Sequence, residues 1–116
     1  MHNMQILVLV LNKTEKLDAI LTEFAHSNIH GATVLESAGM ARILSHKHDE
    51  DEIPFLASVR AFLNPEREKS NVVFTVINND QENEAISAIE RVLGDLSTKD
   101  NGIVFSIPIN CAKGIC

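Results

Sequence analysis

At 116 residues with a formal net charge of −6, the chain is long enough for one hydrophobic core and too acidic to present the basic face that nucleic-acid phosphates require. Apolar residues make up 45% and charged residues 22%, an ordinary globular balance, and no run approaches the ~20 apolar residues of a membrane-spanning helix. Five phenylalanines without a tryptophan or tyrosine predict an aliphatic core and leave no aromatic platform on which single-stranded nucleic acid would stack.

The first apolar run, Met4 to Leu11, is a continuous stretch of the kind that a strand buried on both faces presents. It lacks the basic flank and small-residue cleavage site of a signal peptide, so the expected location is cytoplasmic, with no membrane insertion. Thr14 is placed to cap a following helix. From Leu17 the apolar positions Leu17, Ile20, Leu21, Phe24 and Ala25 form one amphipathic stripe, and Ser27-Asn28 is a natural end because Asn tolerates left-handed backbone. A second strand is predicted over Ala32 to Ala38, closed by Gly39.

The text then changes. The run His46 to Glu52 is charged and reads as a mobile loop. Pro54 opens a short apolar helix through Phe55, Leu56, Val59, Phe62 and Leu63, which Asn64-Pro65 stops. Residues 44–67 therefore form a long inserted loop with its own apolar face, of a length that is usually functional or disordered. Asn71 to Ile77 is a third strand, rich in β-branched residues. Asp80 is the expected cap of a second helix striped by Ala85, Ile86, Ile89, Val92 and Leu93 and stopped at Gly94. A polar loop follows, then a fourth strand from Gly102 to Pro108, where proline marks an edge or an end.

The order βαββαβ predicts an α+β fold over residues 1–116 as a single domain. It would be a ferredoxin-like sandwich, a four-stranded antiparallel sheet with two helices on one face and the long loop between strands two and three. The sheet's other face would be uncovered and apolar, which is an association surface, so an oligomer is expected.

Few side chains suggest chemistry of their own. His46 and His48, with Asp49 and Glu50 beside them, suit Zn²⁺ or Cu²⁺, but an extended i, i+2 pair forms no cage, and adventitious affinity is the favoured reading. Cys111 and Cys116 have C-x4-C spacing; a small redox loop is open, and two reduced tail thiols are favoured. His26 and His30 are expected to face solvent. Neither a nucleophile with an acid/base partner nor a P-loop or dinucleotide fingerprint is present, so no enzymatic activity is expected.

The stretch Gly31 to Leu44, GATVLESAGMARIL, together with the later DNGIVFSIP, resembles the P-II family of nitrogen-regulatory signalling proteins. Gly31, Thr33, Val34, Glu36, Gly39 and Arg42 stand in the places of that family's G-x-T-V-x-E-x-x-G-x-G-R segment, with Ala41 in place of a glycine. Asp100 to Phe105 stand in the places of its G-D-G-K-I-F segment, with Ile103 where the family carries a phosphate-binding lysine.

The resemblance implies a homotrimer with adenine nucleotides in clefts between subunits, and a loop after strand two that docks on a transporter, enzyme or regulator. The implied effector contacts are Thr33, the loop base Gly39, Met40, Ala41 and Arg42, and the turn residues Asn101, Gly102, Ile103 and Phe105. Arg42 would clamp a phosphate or carboxylate. The cations after strand four are replaced by Cys111-Ala112-Lys113-Gly114, and Ile43 stands where the glutamine linked to metal-dependent 2-oxoglutarate binding is expected. Arg42, Lys99 and Lys113 alone could offset an anion, which favours a mononucleotide or another small effector over ATP. The alternative is a metal-binding trimer of the same fold, resembling the cation-tolerance proteins and using His46 and His48.

Overall fold

The computed structural model describes residues 3–38, 69–97 and 102–114. The strands are β1 (Met4–Leu11), β2 (Thr33–Ser37), β3 (Ser70–Asn78) and β4 (Gly102–Pro108), and the helices are α1 (Leu17–His26) and α2 (Glu82–Leu93). They form one four-stranded sheet in the order β2-β3-β1-β4. Every neighbouring pair is antiparallel. Each half contributes a strand, a helix and a strand, with the other half's strand set between them. This α+β arrangement is compatible with a ferredoxin-like sandwich.

One face of the sheet carries the core. Leu7, Leu9 and Leu11 of β1 and Val73 and Ile77 of β3 pack with Ile20 and Phe24 of α1 and Ala85, Ala88, Ile89 and Leu93 of α2. Because side chains alternate along a strand, the residues between them fall on the opposite face. There the register aligns Leu35, Val72, Val10 and Ile103 in one row and Thr33, Phe74, Val8 and Phe105 in the next. The expectation that β1 is buried on both faces is thus corrected within one chain: its burial alternates, with the helix-facing half buried and the other half partly exposed. The continuous apolar run that misled the periodicity argument reflects an open face that is itself apolar.

Helix boundaries follow local chemistry. Asn28 closes α1 with φ 62, the left-handed conformation that asparagine tolerates, and Gly94 closes α2 with φ 81. The caps differ from those expected at both helix starts. Thr14 opens a short 3-10 turn, Thr14–Lys16, and makes no capping hydrogen bond for α1. Asp80 gives way to a reciprocal capping box between Asn78 and Gln81 around the 3-10 turn Asn79–Gln81, which leads into α2. Strand β2 is shorter by one residue at each end than predicted, and β4 has the predicted bounds. The inserted segment 44–67, with His46 and His48, lies outside the described residues. No helix among the described residues is long and apolar enough to cross a membrane.

Candidate functional site

The sheet has a recess where β2 ends before β3 does. Strand β2 pairs from Ser37↔Ser70 to Thr33↔Phe74, and β3 runs on to Asn78. The chain before β2 leaves the ladder there, and a groove of about 850 Å³ opens between residues 28–33 and the end of β3. Thr33 and His30 line it, and so do Phe74, Thr75 and Val76 along β3, Gln81 just past the end of β3, and Gly114 from the tail. No Asp, Glu, Lys or Arg stands among its described lining residues.

The groove floor is an unzipped strand edge. In an antiparallel ladder each residue turns its N–H and C=O to the same neighbour, alternating along the strand. Asn79 N–H donates to Asn3 O at 2.7 Å on the β1 side, which turns Phe74, Val76 and Asn78 toward β2. Phe74 meets Thr33 there. Asn78 N–H donates to Gln81 Oε1 at 2.9 Å. The N–H and C=O of Val76 are left facing the groove with no ladder partner from β2.

The facing wall is held by side chains and by the helix end. Thr75 is buried at 4% exposure, and its hydroxyl donates to Gly31 O. Gln81 Nε2 donates to Asn28 O at 3.4 Å. Ile29 N–H donates to Phe24 O at 2.9 Å, which fastens the wall to the end of α1.

The residues expected to bind an effector are distributed over both edges of the sheet. Thr33 is in the groove at the β2 edge. Gly102, Ile103 and Phe105 are on β4, the opposite edge. Thr33 and Phe105 share one cross-strand row three strand spacings apart, about 14 Å. One chain therefore does not bring these two sets together; an arrangement with the β4 edge of a second copy against the groove edge would. Ile103 is 62% exposed on the open face, aligned with Val10. Gly39, Met40, Ala41, Arg42 and Asn101 lie outside the described residues. Among the described residues no three His, Cys, Asp or Glu side chains gather as a metal site.

Near the start of α2, Glu82 Oε1 accepts from Ser106 Oγ at 2.8 Å and from Gln5 Nε2 at 3.0 Å. These bonds, Ser106 first, hold the Glu82 carboxyl below its ordinary range. Lys113 is exposed in the tail beside Gly114, and is the described member of the three cations that could meet an anion.

Sequence reasoning missed Val76, Thr75 and Gln81. Gln81 carried a readable signal, since Asn78 followed three residues later by glutamine is a capping pattern. Val76 carried none, because its part is played by backbone left over when a neighbouring strand stops. Neither a scan against family models nor a search of curated proteins finds a match to this chain.

Proposed function

We propose that this chain is a non-enzymatic signalling module of the P-II type. Its subunits form a homotrimer and take an adenine mononucleotide as effector in the clefts where the groove edge of one copy meets the β4 edge of the next. Occupancy biases the 44–67 segment, through which a partner protein, a transporter, enzyme or regulator, is controlled. The effector acts only because it binds one state of that segment better than the other.

The observation that carries this reading is the open Val76 backbone pair in an uncharged groove beside Thr33. A donor and an acceptor on one strand edge match the adjacent acceptor and amino donor of an adenine edge. A lining whose described residues include no Asp, Glu, Lys or Arg suits a neutral base better than a triphosphate, for which it offers at most the His30 imidazole. Lys113, next in sequence to Gly114 of the lining, brings one positive charge to that end of the chain to offset part of a phosphate monoester's charge. The trimer is supported by the apolar sheet face, on which Leu35, Ile103, Phe105 and Ile107 are 52%, 62%, 45% and 48% exposed.

Calorimetry of the full chain against AMP, ADP, ATP and cyclic AMP tests the effector. Binding of AMP in preference to ATP is the expected result. Absence of heat with all of these nucleotides would sink the nucleotide reading.

A further inference from the structure

We propose that Thr75 and Gln81 are positioning residues that keep the effector groove open by stopping the β2–β3 ladder short. The inference builds on the groove being the effector site, and its main readout is independent of any effector. Continuing the observed register beyond Thr33↔Phe74 would set Gly31 opposite Val76 and Ile29 opposite Asn78. That extension would seal the groove floor with ladder hydrogen bonds.

Three of the backbone groups needed for the extension are engaged elsewhere. Gly31 O accepts from Thr75 Oγ1, and Asn78 N–H donates to Gln81 Oε1. Ile29 N–H is taken by Phe24 O at the end of α1, and Gln81 holds the adjoining Asn28 O. Asn28, at φ 62, bends the chain away from β3's line at the same point. Packing does not enforce the gap at Gly31, where an added Cβ would meet nothing within 4 Å. Two side chains therefore join the helix end in holding the open state, in which ladder bonds are exchanged for side-chain bonds of similar worth.

The open state leaves the Val76 pair free for a ligand, and the zipped state consumes it. An effector that binds Val76 favours the open state. The groove thus offers a two-state element that an effector can bias.

Amide hydrogen exchange of the full chain, resolved residue by residue by NMR, is the test. In the wild type, Val76 N–H should exchange faster than Phe74 N–H, which lies opposite Thr33 in the ladder. Thr75→Val with Gln81→Leu should slow Val76 about tenfold, the worth of one ladder bond, and weaken AMP binding. Thr75→Ser keeps the hydroxyl and should leave both readouts as in the wild type. A purely structural role for Thr75 would instead speed exchange throughout β3 and β1, and that result would overturn the proposal. Equal Val76 rates in wild type and double variant, or wild-type Val76 already as protected as Phe74, would also overturn it. A wild type that ignores AMP removes the effector reading alone, because the exchange comparison still decides the ladder.

Discussion

Gly102 shows how much one position can fix. It sits at φ 129, and an added Cβ would collide with the Val10 carbonyl of the neighbouring strand. Both the backbone region and the space exclude a side chain, so β4 can start beside β1 only from a glycine. Gly102→Ala should cost about 2 kcal/mol or more in urea-induced unfolding. Gly31 makes the opposite case. It has no left-handed backbone and open space around an added Cβ, so Gly31→Ala should change stability by only about 0.5 kcal/mol. Equal losses at the two positions would show that local geometry at each glycine does not set its cost. Within the core, Phe24 is 2% exposed between α1 and the sheet, and Phe24→Ala should cost about 3–5 kcal/mol in the same measurement.

At the scale of elements, α2 is seated on the sheet by its first turn. Glu82 joins Gln5 of β1 and Ser106 of β4, tying the helix to a central and an edge strand at once. These bonds favour the charged carboxylate, so its folded pKa lies below the ordinary 4.5. The sign follows from linkage: the tie contributes fully above the unfolded value and is lost as pH falls through the folded one. Wild type and Glu82→Ala should therefore differ in urea midpoint at pH 7 and converge in acid. A gap that persists unchanged at low pH would mean that packing, not the carboxylate, seats the helix. A second tie, Arg91 to Glu23 at 2.7 Å, joins α2 to α1 on the surface, and Arg91 also meets Glu84 of its own helix at 3.4 Å; such exposed ion pairs contribute little.

Elements with strong periodicity were legible in the sequence, as the stripe Ile20–Phe24 and the bounds Gly102–Pro108 demonstrate. Caps were not, because Asn78, Asp80 and Gln81 all carry capping side chains and only their mutual geometry selects a pair. The candidate site was legible only at Thr33. Its floor depends on where β2 stops, and the proposed stops include Thr75, a residue whose sequence context is an ordinary strand.

For the whole molecule, the open sheet face is the feature that a lone chain leaves unexplained. Its rows contain Ile6, Val8, Val10, Leu35, Val72, Phe74, Val76, Ile103, Phe105 and Ile107, and no charged residue of the four strands shares that face. The chain carries a net charge of −6, so contact through this uncharged face must outweigh the repulsion between copies. Val8 occupies the middle of a row, between Phe74 and Phe105. A lysine there can reach water in a single chain, whereas an assembly closed over the face would bury it unpaired at a cost of several kcal/mol. Wild-type protein should therefore sediment at three times the 12.8 kDa chain mass, and Val8→Lys at one chain mass with an unchanged far-UV spectrum. A wild type that sediments as a single chain would remove the trimer. The dissociated variant would also separate the two walls of the proposed effector site. With Thr33 and Phe105 on opposite edges of one sheet, it should keep the groove and lose the neighbour's β4, and AMP affinity should fall accordingly. Undiminished affinity in the dissociated chain would place the whole effector site in the groove between residues 28–33 and β3.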